Sequence, residues 1–322
     1  MAAFRYASTV IGTSSAQRVL LLASVARHGS MTQAAQAVGF SVSAISQQIH
    51  KLEVEAGQPL LQRHSRGIIL TDAGEAVVRH AEQIHGQLTS LQDSLDDIAG
   101  VRAGTLRMGT FPTAGASLLP LAIGRFRQEH PGVELSVRSF RRGALLRMLV
   151  NREITMSLLW DYQWARLDLP DLDVTVLLDD PTDLVVSATH PLASRKTLAM
   201  SELLDENWVV RGDDHPMVEV LVRAADTVGF DPKVAYEAND YQEVQAMVAV
   251  GVGISIMPRL ALTVLRNDVK VIPLSGDVPR RQILLARMKG SRPTGAEQAM
   301  TAMLVETAQS LTDARATLPL KG

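Results

Sequence analysis

The stretch SVSAISQQIHKLE, Ser41–Glu53, decides how the first part of this 322-residue chain is read. Its spacing is helical. At about 100° per residue, Ile49 and Leu52 fall within roughly 40° of Ile45, so the three form one apolar stripe. Ser43, Gln47 and His50 lie on the opposite side, with Ser46 and Lys51 on the shoulders. No residue from Ser41 to His50 carries a formal charge. A helix face of short, neutral hydrogen bonders suits the DNA major groove, where Gln and Ser reach base edges. An ordinary solvated face is the alternative for this stretch taken alone.

The flanking sequence weighs against that alternative. Ser15–Arg27 has the pattern of a helix, stopped by His28-Gly29. In SMTQAAQAVG, Ser30 is an N-cap with Gln33 at capping-box spacing, Ala34, Ala35 and Val38 form a small apolar face, and Gly39 ends the helix. Ser41 caps the next helix. The tight turn at Gly39-Phe40 predicts a helix-turn-helix. PLLQRHSRGIILT then reads as two short strands around a four-residue turn, His64–Gly67. Lys51, Arg63 and Arg66 are placed for phosphates, which position a protein on DNA, while Thr32, Gln33, Ser41, Val42, Ser43, Ser46, Gln47 and His50 are the other DNA-facing candidates. Met1–Leu70 holds six Lys/Arg and two acids, a net of +4, in a chain whose total is −2. An anionic partner for this end alone follows.

Residues 1–14 have no clear period and read as a flexible tail, and residues 15–72 as the DNA-binding domain. Thr71 caps a long helix with Asp72 in its first turn. Val77, Ala81, Ile84, Leu88, Leu91, Leu95 and Ile98 follow at alternating steps of four and three, a heptad seam. This linker helix, 73–100, calls for a partner. A second copy of the chain is the first choice, giving a dimer or tetramer, and packing on its own domain is the alternative. Val101–Gly104 reads as a hinge. Beyond it, short β-type runs alternate with helical segments, which predicts an α/β region with largely parallel sheets. Residues 104–180 plus 285–315 form one expected lobe, and residues 181–284 the other.

Composition narrows the function. There are no cysteines, so disulfides, thiolate catalysis and zinc-thiolate sites are excluded. The start is a poor signal peptide, and Ala246–Pro258 is too short and Gly-rich to span a bilayer, so a soluble cytoplasmic protein with no membrane role is expected. Asp179-Asp180 and Asp213-Asp214 read as turn residues rather than metal ligands. No His pair, Walker A or Gly-x-Ser-x-Gly motif is present, and Gly251-x-Gly253 precedes a strand rather than a helix. No enzyme, metal or cofactor is expected. A solute-binding protein with no DNA role is the remaining alternative, against which the first seventy residues count.

GSMTQAAQAVGFSVSAISQQIHKLEVEAGQPLLQRHSRGIILTDAG, Gly29–Gly74, resembles the LysR-type transcriptional regulators. It shares their Gly-Ser start, paired alanines, recognition-helix Ser, Gln-Ile-x-x-Leu-Glu run, Gly-x-Pro-Leu stretch, Arg-rich wing and Leu-Thr-x-x-Gly ending. HPLA at His190–Ala193, Gly229–Pro232 and Val248–Pro258 extend a weaker likeness over the rest of the chain. The resemblance implies an α+β two-part chain: a winged helix-turn-helix, a long dimerising linker helix, then a two-lobed α/β effector domain like a periplasmic binding protein, often in tetramers. The chain departs from the pattern in three places. Val42-Ser43 replaces the frequent Gln-Pro, which puts an apolar side chain suited to a thymine methyl where an amide stood. Thr155 stands where an Asp is common. The tail is about ten residues longer than usual for the pattern.

In two-lobed α/β proteins ligands bind between the lobes, beyond strand C-termini. The first strand runs into TFPTAGASLLP, so Thr110, Phe111 and Thr113 at a helix start are candidates, and the resemblance implies a main effector contact there. Arg141 or Arg142 after the second strand would pair with an anion or be a solvated loop. WDYQW, Trp160–Trp164, holds three aromatics in a chain that is 4% aromatic. It would line an apolar pocket or be a packed loop. Arg211, and Asp240 beside Tyr241, are the candidates from the other lobe. A small organic acid, aromatic in one version, is the expected effector.

Overall fold

The computed structural model describes residues 15–64, 67–98, 104–167, 169–212, 216–290 and 292–317. The expected tail, Arg66, Asp213-Asp214 and all of the hinge but Gly104 lie outside the described residues, as do the side chains of Arg63 and Ile98. The chain separates into two compact units, residues 1–100 with 147–154, and residues 101–146 with 155–322.

In the first unit, α1 (Ala16–His28), α2 (Met31–Val38) and α3 (Val42–Ala56) follow one another, then the antiparallel pair β1 (Leu61–His64) and β2 (Gly67–Leu70), then α4 (Asp72–Ile98). The caps are where local chemistry puts them. Ser30 Oγ accepts from the Gln33 N–H, and Ser41 Oγ from the Ala44 N–H at 3.1 Å. Gly39, at φ 71°, closes α2 in a left-handed conformation that costs a side chain dearly. His64 pairs with Gly67, the two ends of the expected four-residue turn. Ile45, Ile49 and Leu52 are buried (0%, 2% and 0% exposed) together with Leu22, Val25, Ala34, Ala35 and Leu60.

Gly74 explains the end of the Leu-Thr-x-x-Gly run. Thr71 Oγ1 caps α4 by accepting from the Gly74 N–H at 3.0 Å, and a Cβ on Gly74 would lie 2.1 Å from the Leu60 carbonyl oxygen. Only a residue without a side chain lets α4 start this close to the wing.

The second unit begins with β3 (Thr105–Thr110), α5 (Pro112–Ala116), α6 (Leu118–Glu129), β4 (Glu134–Ser139), α7 (Arg142–Val150, whose last turn groups with the first unit), β5 (Met156–Tyr162) and β6 (Leu172–Asp180). There follow β7 (Thr182–Ser187), β8 (Leu198–Ala199), β9 (Asn207–Arg211), α8 (Met217–Asp226), β10 (Lys233–Ala238), α9 (Tyr241–Ala249), β11 (Ser255–Pro258), β12 (Val269–Ser275), β13 (Arg281–Met288) and α10 (Gly295–Thr317). One sheet has the order β4-β3-β5-β13-β6. A second has the order β11-β7-β12-β8, with the β9–β10 pair joined to it through a Trp208–Ile254 bridge.

These ladders correct two expectations. The sheets are mixed rather than largely parallel: β13 runs antiparallel to β5 and β6, and β7 antiparallel to β11 and β12. The cause is the connectivity. The chain crosses to the second lobe at Pro181 and returns between β12 and β13, so the returning strand enters the first sheet from the opposite end. For the same reason residues 281–284 belong to the first sheet, not to the second lobe, since Arg281 already pairs with Tyr162 and Asp180.

Gly74→Ala should destabilise the N-terminal unit by about 1–3 kcal/mol, the usual range for forcing atoms into a filled site. Urea melts of the wild type and variant measure this, and an unchanged midpoint would contradict the close approach.

Candidate functional site

On α3, Ser43, Gln47, His50 and Lys51 are exposed and Ser46 is half-buried, while Thr32 and Gln33 are exposed on the first turn of α2. Ser43 Oγ lies 3.0 Å from Ser41 Oγ, which ties the first turn of the face together. Val42 and Phe40 are exposed large apolar side chains at the same helix start. Phe40 was not among the sequence candidates; an aromatic in a tight turn, flanked by Gly39 and Ser41, was the signal.

The two acids of α3 are engaged by the fold, and Glu53 Oε2 also lies 3.9 Å from His50 Nδ1 on that face. Glu55 takes the Ser15 hydroxyl at 2.6 Å and pairs with Arg18. Glu53 Oε1 accepts the Leu60 and Leu61 N–H groups at 3.0 and 3.2 Å, joining α3 to the wing. Both carboxylates that lower the local charge are thus held by the fold.

The heptad seam divides. Val77 and Ala81 pack into the helix-turn-helix core, as the alternative for this helix had it. Ile84, Leu88, Leu91 and Leu95 are exposed and form one stripe on α4.

In the second unit the expected ligand residues are only partly brought together. Thr110, Phe111 and Thr113 are all buried. Thr110 borders a groove of about 430 Å³ with Pro112, Leu119, Ile123, Val137 and Ser139. Phe111 turns the other way, its ring 4.7 Å from Trp160. The helix start is short, because α5 stops at Ala116 and α6 begins at Leu118. Arg141 is exposed, whereas Arg142 Nη1 donates to the Trp160 and Ala165 carbonyls at 3.4 Å. Asp240 caps α9: its Oδ1 accepts the Gln242 and Glu243 N–H groups at 2.8 Å.

The WDYQW aromatics are largely packed. Trp160 and Tyr162 are buried, and Trp164 stacks on Tyr162 at 4.7 Å with the Arg223 guanidinium 4.5 Å from its ring centre. Arg211 lies 5.2 Å from the centre of the buried Tyr241 ring. Across the sheet, Tyr162, Arg281 and Asp180 stand in one row. Arg281 Nε donates to Asp180 Oδ2 at 2.8 Å, both side chains are 0% exposed, and the guanidinium faces Phe111 at 5.3 Å. Burial works against the Arg281 charge, and Asp180 and the two phenols outweigh it, so the group stays cationic. Arg281 was missed in the sequence. Its signal was the Arg280-Arg281 pair leading into an apolar strand, with Asp179-Asp180 taken for turn residues. Among the described residues no group of three His, Asp or Glu side chains is arranged to hold a metal.

Residues 17–75 match the bacterial regulatory helix-turn-helix protein of the lysR family, and residues 99–309 match the LysR substrate binding domain. The chain belongs to the LysR family.

Its LysR relatives cover most of its length. The HTH-type transcriptional activator CmpR of Synechocystis is 28% identical over 260 residues, 80% of this chain and 83% of that one. A full-length OxyR variant from Pseudomonas aeruginosa has the same fold, with a TM-score of 0.70 at 20% identity over 91% of this chain and 94% of that one. CbnR, solved in complex with its target DNA, gives a TM-score of 0.66 at 21% identity over 92% and 99%. This LysR chain is thus a DNA-binding transcriptional regulator with an effector-binding domain, and the solute-binding alternative is left without support. No described helix is long and apolar enough to cross a membrane.

Burial pushes the Tyr162 hydroxyl up to about 12, against the pull of Arg281. Its contribution to stability is whole below about pH 10, the ordinary tyrosine value, and is lost as the pH rises through about 12. Thermal melts of this LysR protein between about pH 9 and 12 should show that alkaline loss, and Tyr162→Phe should reduce it, the remainder coming from the Tyr241 hydroxyl that burial also pushes up.

Proposed function

We propose that this chain reads operator DNA through α3 and alters its grip when a small molecule binds between the two lobes of the α/β region. The observation that carries the DNA half is the burial of Ile45, Ile49 and Leu52, which turns Ser43, Gln47 and His50 outward. Those three, with Ser41, Val42 and Ser46, meet base edges in the major groove, and Val42 meets a thymine methyl. Lys51, Arg63 and Arg66 meet phosphates, and Thr32 and Gln33 meet the backbone from α2. In the effector half, Phe111, Trp160 and Arg211 contribute to the ligand cleft, and an organic acid is the effector class. Ligand binding changes the angle between the lobes, and residues 101–104 pass the change to α4 and so to the spacing or bend of the DNA half-sites.

The exposed Ile84, Leu88, Leu91 and Leu95 stripe pairs with its copy in a second chain, giving a dimer or a tetramer. The chain works in the cytoplasm and performs no catalysis, in keeping with relatives that are transcriptional regulators.

Gel shifts on genomic fragments test the DNA half. Log affinity should fall with log salt by about 0.9 per neutralised phosphate. Gln47→Ala should cost about 1–3 kcal/mol at one base pair only; equal loss on all sequences would place Gln47 on phosphate instead. Replacing Leu88 and Leu91 by Glu should lower the sedimentation mass to that of a smaller species, and an unchanged mass would remove the α4 seam from the assembly.

A further inference from the structure

Arg281 is held by the fold in an incomplete way, and a neighbouring pair shows the difference. Arg259 and Asp183, at the same crossover, form a two-pronged pair: Nε donates to Oδ2 at 2.6 Å and Nη2 to Oδ1 at 2.7 Å. Asp180 offers Arg281 only one prong. Its Oδ1 is taken by the Leu260 N–H at 2.8 Å, and its Oδ2 already receives Nε–H. Nη2 lies 2.8 Å from that same Oδ2 without hydrogen-bond geometry, and neither Nη1 nor Nη2 makes a hydrogen bond, although both are buried. A charged donor buried without an acceptor is costly, and the few that native proteins keep call for a cause.

The surroundings supply rings and the Tyr162 and Tyr241 phenols, and none of them accepts a hydrogen bond from Nη1 or Nη2. Phe111 covers the guanidinium at 5.3 Å, and Trp160 packs on Phe111. The Tyr162 hydroxyl, in the same row as Arg281, donates only to the Met217 thioether at 3.9 Å, a weak acceptor. Phe111 and Tyr162 come from the first lobe and Met217 from the second, so the cluster lies where the two lobes meet within the second unit.

We infer that Arg281 is the anchor for the anionic head of the effector, and that the effector is a small carboxylate whose body packs on Phe111 and Trp160. The planar guanidinium presents two parallel N–H donors, the match for the two oxygens of a carboxylate. This rests on the proposed effector cleft between the lobes and its organic acid, and adds the residue that selects the acid.

The test uses the full-length protein, thermal shift and tryptophan fluorescence, with benzoate, salicylate and succinate as probes and benzamide, salicylamide and succinamide as their neutral counterparts. At least one acid should bind saturably, and its amide about tenfold or more weakly. Arg281→Lys, which keeps the charge and loses the fork, should weaken that acid by about tenfold. Arg281→Met combined with Asp180→Asn removes both charges, leaves no carboxylate buried alone, and should abolish acid binding while gel shifts with DNA persist. Amides binding as tightly as the acids, or acids binding the double variant as tightly as the wild type, would overturn the anchor and leave the cleft standing. Failure of acids and amides alike would overturn the cleft together with the anchor.

Discussion

Three side chains on α3, Ile45, Ile49 and Leu52, are withdrawn from water against α1, α2 and the start of the wing, and the orientation of everything on the opposite face follows from that burial. A helix has only one rotational setting that hides all three. In that setting Ser43, Gln47 and His50 point outward together, and the capping serines at positions 30 and 41 keep the two helices from running on or fraying. Glu53 ties α3 to the wing through two backbone N–H groups while its Oε2 lies 3.9 Å from His50, and Glu55 pairs with Arg18, so both acids of α3 are engaged by the fold. The same contacts that stabilise the domain therefore prepare its surface for DNA.

The α/β region is organised by its two crossovers. Because the chain leaves the first lobe at Pro181 and re-enters it at Arg281, residues distant in sequence meet at the boundary: Asp180 with Arg281, Asp183 with Arg259, and Asp180 again with the Leu260 backbone. One of these pairs is satisfied on both sides and the other is not. An arginine sited where two lobes join, short of acceptors and walled by aromatic rings, ties recognition of a charged ligand to the relation between the lobes. That is the coupling a ligand-controlled regulator requires.

The long helix α4 shows how one pattern serves two surfaces. Its apolar positions keep the same step from Val77 to Leu95, yet Val77 and Ala81 join the core of their own domain while Ile84, Leu88, Leu91 and Leu95 stay exposed. Periodicity reports that a helix has an apolar face; it carries no information about which surface covers each turn. The aromatic cluster at Trp160–Trp164 behaves alike. Its composition announced a ring-rich site, but Tyr162 and Trp164 stack on each other with Arg223 over Trp164, and Trp160 packs on Phe111, which faces Arg281.

Local rules were enough for the helix-turn-helix. Caps, stop glycines, the apolar stripe of α3 and the succession of strands and helices beyond Gly104 are all set by residues within a few positions of one another, so the sequence alone determined the element types and the exposed polar face of α3. The LysR resemblance rested on that same continuous run, Gly29–Gly74. What depends on distant partners was settled only in three dimensions. The antiparallel entry of β13, the placement of residues 281–284, and the half-satisfied burial of Arg281 beside Asp180 each need to know which strand or carboxylate lies alongside. No linear pattern states that, because hydrogen-bond acceptors are allotted by tertiary packing rather than by spacing along the chain.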